Sequence, residues 1–127
     1  MIGTFNYKKR NQMKPYTEQQ IQDAKVKYPR CVREIEVYPA DTNFDKNGNA
    51  DQEPAYFLVK KPNKALVDML GSNGYKDNPE RANDAIVKNC VLMGDTELME
   101  NDASVYTGLL EQLAGMVQSS RVALKKV

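Results

Sequence analysis

Five consecutive apolar residues, Ala55-Tyr56-Phe57-Leu58-Val59, run into Lys60-Lys61-Pro62 and constrain the fold more than any other stretch of the chain. The run reads as a strand that is apolar on both faces, with Ala55, Phe57 and Val59 on one side and Tyr56 and Leu58 on the other. Such a strand belongs deeper in a fold than an alternating one. Residues 31–38 supply the alternating kind: Ile35 and Val37 share a face, and Glu34 and Glu36 point the other way. Joined across residues 39–54, the two segments make an antiparallel hairpin. A lone two-stranded hairpin is marginally stable in water. The strands must therefore pack on helices, or their edges must pair with something else, another subunit included. An oligomer or a docking protein is the expectation.

Helical signals surround the hairpin. Thr17 followed by Gln20 fits a capping box at the start of a helix that Pro29 closes, and Ile21, Ala24, Val26 and Tyr28 give it a loose apolar stripe suited to the surface. Beyond Pro62 a short helix over residues 63–70 turns Leu66, Met69 and Leu70 inward and ends at Gly71 and Gly74. A further helix starts near Pro79, and Ala82, Ala85, Ile86, Asn89, Cys90 and Met93 keep helical spacing up to a stop at Gly94. The last helix spans residues 103–125, with Val105, Leu109, Leu113, Met116, Val117 and Leu124 along one face. Gly108, Ala114 and Gly115 leave room there for close approach. The predicted fold is α+β: a two-stranded antiparallel hairpin with an N-terminal helix and a C-terminal bundle of three or more helices. Residues 17–127 form one domain and residues 1–16 a flexible basic arm.

Composition narrows the chemistry. The chain has no histidine, which removes Ser/His and Cys/His catalytic pairs and ordinary zinc sites. Cys31 and Cys90 stand 59 positions apart, outside any metal-ligand spacing. They read as two small buried residues, and a disulfide requires the fold to bring them together. No apolar run approaches the roughly 20 residues that cross a bilayer. The first residues show no apolar signal core, so a cytoplasmic location is expected. Charge is unevenly spread: residues 1–33 hold eight basic and two acidic residues, +6, whereas the other ten basic and fifteen acidic residues give −5. That polarity suggests an interaction surface toward the N-terminal end.

Three segments invite a functional reading. The arm places Phe5 and Tyr7 beside Lys8, Lys9 and Arg10, a combination that can grip single-stranded nucleic acid by charge and stacking, with Lys14 nearby. Asp45, Asn47, Asn49 and Asp51 alternate as calcium ligands do. Counted from Asp45, however, Gly48 falls at position four and Tyr56 at position twelve, so the EF-hand pattern fails and a solvated loop with Asn-Gly turn chemistry is expected. Asp95, Glu97, Glu100 and Asp102 form an acidic knot without a matching second ligand set, and carboxylates there serve to offset helix N-termini.

The order of elements resembles a family. A Lys-rich helix ends in Lys27-Tyr28-Pro29, followed by the strand Glu34-Ile35-Glu36-Val37 and then by Ala55-Tyr56-Phe57, closing at Lys61-Pro62. An Asp-Asn-Pro helix start at residues 77–79 leads to Lys88-Asn89-Cys90 and Gly94-Asp95-Thr96-Glu97, and the end is a long helix closing on Leu124-Lys125-Lys126. Over residues 17–126 this is similar to small proteins of phage and prophage tail-morphogenesis regions, of the tail-assembly-chaperone type. The resemblance implies a non-enzymatic helical protein without a cofactor. Such a protein binds an aggregation-prone phage partner, the tape-measure protein, in the host cytoplasm. The basic aromatic arm and the polar loop over residues 41–52 lie outside the pattern. Both suit a structural virion component of the head, neck or tail, ordered against neighbouring subunits, or a nucleic-acid-binding accessory protein. The expected contact residues are Phe5, Tyr7, Lys8, Lys9 and Arg10 of the arm, Phe57 of the second strand, and Leu109, Leu113 and Met116 of the last helix. Expected partners are tail or other virion proteins, further copies of the chain, and nucleic acid through the arm, with no membrane.

Overall fold

A computed structural model describes residues 14–117 and 122–126. The first helix, α1 (Glu18–Lys27), opens with the capping box its sequence announces. The Gln20 amide donates to Thr17 Oγ1 at 3.1 Å and the Thr17 amide donates to Gln20 Oε1 at 2.7 Å. Lys25 and Lys27 occupy its last turn, where cations suit the negative end of the helix. Ala24 is its buried residue, and Val26 is 80% exposed, so the helix lies on the surface.

Strands β1 (Val32–Val37) and β2 (Ala55–Lys60) pair antiparallel with Ile35 opposite Phe57 and Val37 opposite Ala55. The alternation expected of β1 and the two-faced burial expected of β2 are both present. The connection between them folds on itself. Asp45 accepts from the Asn47 and Asn49 amides at 2.8 and 2.9 Å, Gly48 adopts a left-handed φ of 83°, and Asp51 accepts from Asn43. Those amides hold the Asp45 and Asp51 carboxyls below the ordinary carboxylate range. The Asp45 carboxylate is thus committed to the loop's own backbone.

Helix α2 (Lys64–Leu70) is capped by Asn63, and α3 (Pro79–Cys90) by Asn78 with Pro79 in its first turn. The expected hairpin then needs correction. Residues Val91–Gly94 leave the helix without a loop and form a third strand, β3, antiparallel to β2, so the sheet has the order β1-β2-β3. The helical spacing that runs on to Met93 is overridden by a backbone demand. A strand buried on both faces cannot leave one edge of amides and carbonyls without partners, and β3 supplies them.

Helix α4 (Thr96–Asn101) and helix α5 (Ala103–Gly115) complete the fold, for five helices among the described residues. The last helix stops ten residues short of the expected 125. Beyond Leu113 no side chain of it is fully buried, Gly115 has open space around its Cα, and Leu124 is 98% exposed rather than part of an apolar face. Without core contacts, nothing offsets the entropy of continuing the helix.

The sheet divides two cores. On one face Ile35, Val37, Ala55, Phe57 and Val59 meet Leu66, Ile86, Cys90, Met99, Val105, Leu109 and Leu113 from the later helices. On the other face Tyr56, Leu58 and Val32 pack with Ala24 of α1 and with Tyr16, against half-buried Leu92 and Met93 of β3. The alternate residues of β2 thereby feed both cores. Gly108 lets α5 lie close on β1, since a Cβ there would meet Val37 Cγ1 at 3.0 Å.

Candidate functional site

The expected contact residues divide three ways. Phe57, Leu109 and Leu113 have no exposed surface, so the structure corrects their assignment: they build the main core and present nothing to a partner. Their apolar chemistry drew the expectation, and burial explains that chemistry completely. Met116 caps the end of α5, half-buried against the same core. Phe5, Tyr7, Lys8, Lys9 and Arg10 lie outside the described residues.

Lys14 is engaged locally. Its Nζ lies 3.1 Å from Glu34 Oε1, and the Tyr16 hydroxyl donates to the other carboxylate oxygen of Glu34 at 2.6 Å. Burial raises the Tyr16 hydroxyl far above the ordinary tyrosine range, and the Glu34 carboxylate it faces adds to the rise. This trio ties the segment ahead of α1 to β1 across the smaller core. Sequence reading missed it because Tyr16 sits beside Pro15, outside any periodic segment.

The acidic knot is also structural at its two ends. Asp95 Oδ2 accepts from the Tyr56 amide at 2.7 Å while the Asp95 amide donates to the Tyr56 carbonyl at 2.9 Å, so one residue extends the β2–β3 ladder through backbone and side chain together. Asp102 caps α5 by accepting from the Ser104 amide and hydroxyl, and Ser104 Oγ in turn accepts from the Ala40 amide. Capping by Asp102 agrees with expectation. Asp95 stands before α4 without a side-chain bond to that helix. Among the described residues no group of three or more Cys, Asp or Glu side chains is placed to hold a metal ion, and no helix is long and apolar enough to cross a membrane.

Cys90 is buried at the end of α3, and burial pushes its thiol upward. Cys31 is exposed, contrary to the expectation that both are buried, because it precedes β1 at the sheet's end, and both thiols are free.

What the fold assembles is a pair of charged ends. Antiparallel pairing puts the start of β1 beside the end of β2. Lys60 and Lys61 therefore gather with Arg30 and Arg33, and α1 adds Lys25 and Lys27 close by. Lys60 and Lys27 both lie against the Tyr28 ring, at 4.8 and 5.5 Å from its centroid. Among the described residues none of these six cations forms an ion pair. At the opposite end of the sheet lie the exposed carboxylates of Glu36 and Asp41, together with α4, whose two flanks are fastened to Tyr56 and Ala40. That anchoring brings Glu97 and Glu100 to the same end.

The sheet's outer edges protect themselves. β1 shows Arg33, Glu34 and Glu36 to solvent, the Arg33 guanidinium donates to the Val32 carbonyl at 2.8 Å, and β3 is only four residues long. Charge and shortness are the usual defences against strand addition. Between α1 and β3 lies a depression of about 320 Å³ lined in part by Ala24, Tyr28, Leu92 and Met93. Comparison with protein-family models, with curated proteins and with solved structures found no match to this chain.

Proposed function

We propose that this chain is a non-catalytic morphogenesis protein of the phage tail-assembly-chaperone type, acting through protein–protein contacts in the host cytoplasm. The observation that carries the reading is the use made of the motif residues on which the resemblance rests. Lys60-Lys61-Pro62 ends the central strand, Cys90 closes α3 in the core, and Gly94-Asp95 locks β3 against β2. Those residues serve a scaffold, and the perturbed groups Tyr16, Tyr106 and Cys90 are likewise explained by burial and by Glu34 and Asp84 beside the two tyrosines. Among the described residues the surface carries sorted charge and, beside Met93, a depression lined by Ala24, Tyr28 and Leu92 together with Gln20, Asp23 and Lys27, features that suit a partner's surface. Methionine adds adaptable apolar contact in such a place.

The test is co-expression with a phage tape-measure protein taken from the genome that encodes this chain. The expected result is a gain in soluble tape-measure protein and its co-purification with this chain, together with absence of the chain from mature virions by mass spectrometry. An unchanged yield with no co-purification refutes the reading. Abundant presence in virions would instead make the chain a structural component.

A further inference from the structure

We infer that copies of this chain associate head to tail, the basic end of one sheet seated on the acidic end of the next. The inference stands apart from the morphogenesis reading, and either can fail without the other.

The geometry comes from strand register. β1 and β2 pair over six residues, so the two ends of the sheet are separated by about 17 Å at the usual rise per residue. Lys25, Lys27, Arg30, Arg33, Lys60 and Lys61 cluster at one end. Glu36, Asp41, Glu97 and Glu100 mark the other, and Lys46 is the opposing charge in its loop. At physiological salt the Debye length is about 8 Å. The two ends therefore neither neutralise each other within one molecule nor blur into a uniform surface. Each is therefore available to opposite charge from outside, and a second copy offers it in matching form.

The basic end is also preorganised for a protein surface. Lys27 and Lys60 lie against the one Tyr28 ring, and Arg33 is held by the Arg30 and Val32 carbonyls at 3.3 and 2.8 Å. With Tyr28 already occupied by two lysines, it is a poor platform for stacking a base, so a single strand would gain no stacking there. Asp23, one turn before Lys27, shares a depression with it and accepts from Gln19, while Glu18 and Glu34 lie beside Lys25 and Arg33, Glu34 being paired with Lys14 at 3.1 Å. A contact of this kind joins two different surfaces. Such heterologous contacts propagate into rings or filaments rather than closing as a two-fold dimer.

Sedimentation velocity on the full chain tests it, over a concentration series and between about 0.02 and 0.5 M NaCl, where the Debye length falls from roughly 20 to 4 Å. The expected result is association that weakens on the order of tenfold or more as salt rises. Two charge-reversal chains sharpen the test: Lys27→Glu/Lys61→Glu, which cuts the six cations of the basic end to a net +2, and Glu36→Lys/Glu100→Lys, which cancels the four carboxylates of the acidic end. All four positions are exposed, and far-UV circular dichroism verifies folding. Each variant alone should associate much more weakly than the parent, and an equimolar mixture, which supplies an intact acidic end from the first and an intact basic end from the second, should associate again. The inference is overturned by a monomer at every concentration and salt, by association indifferent to the reversals, or by failure of the mixed variants to associate. Association that disappears on nuclease treatment would overturn it too, since nucleic acid would then be the basic end's occupant.

Discussion

Replacing Gly94 by alanine tests the locking of β3 most directly. Gly94 sits opposite Phe57 at a φ of 155°, a conformation L residues rarely adopt. A Cβ there would stand 2.5 Å from the Tyr56 carbonyl oxygen, 2.7 Å from Phe57 Cδ1 and 2.9 Å from Phe57 Cα. Two of those three atoms are backbone of the central strand, so no rotamer change relieves the contact. If the strand stays in place, positive-φ strain costs about 1–3 kcal/mol and overpacking about 1–3 more. If β3 peels away, the reciprocal Tyr56–Asp95 bonds are lost, the one to the carboxylate being worth about 1.5–3 kcal/mol and the backbone one about 1. The first route comes to about 2–6 kcal/mol and the second to about 2.5–4, so a cost of about 3–4 kcal/mol is expected, a large share of the roughly 5–15 kcal/mol that stabilises a domain. With a urea m-value of about 2 kcal/mol/M, the unfolding midpoint should drop by about 2 M. Gly115→Ala is the control. Gly115 ends α5 with nothing within 4 Å of a Cβ, so alanine should raise stability by up to about 1 kcal/mol. A Gly94→Ala midpoint within about 0.3 M of the parent, read on this scale, would refute the packing argument.

Three further outcomes follow from the same contacts. Asp95→Ala removes the acceptor of the Tyr56 amide and should cost about 1–3 kcal/mol in thermal unfolding, whereas Asp95→Asn keeps an acceptor oxygen and should recover most of it; equal losses in the two variants would sink that role. Tyr16 keeps its proton in the fold to higher pH than in the unfolded chain, where tyrosine titrates near 10. Its contribution is therefore intact below pH about 10 and is lost as pH rises beyond that, because only the unfolded state gives up the proton there. Denaturant unfolding at pH about 9, 10 and 11 should show a flatter decline for Tyr16→Phe than for the parent, and parallel curves would contradict the assignment. A thiol reagent should label exposed Cys31 at once in the native chain and buried Cys90 only on unfolding; simultaneous labelling of both would place Cys90 wrongly.

How much of this was legible depended on whether the signal was local. Thr17 with Gln20, and Asn78 with Pro79, are one-turn devices, and each helix starts where they stand. Asp45 and Gly48 likewise specify a self-contained turn within four residues. The Tyr16–Glu34 bond and the Asp95–Tyr56 bond span 18 and 39 residues. Neither partner carries a pattern that names the other, so no periodicity could disclose them.

The sequence by itself determined the two-faced character of β2, the alternation of β1 and the helix caps, because these follow from side-chain spacing and from amides satisfied within one turn. Tertiary structure alone decided that Val91–Gly94 becomes a strand, that α5 ends at Gly115, and that Phe57, Leu109 and Leu113 are covered so fully that none is left for a partner. The physical reason is shared. A buried strand edge must find hydrogen-bond partners, and a helix persists only while it has a core to cover, and both conditions are set by neighbours distant in the chain. The same holds for charge: lysines and arginines scattered over residues 25–61 become one basic end only because antiparallel pairing sets the start of β1 beside the end of β2.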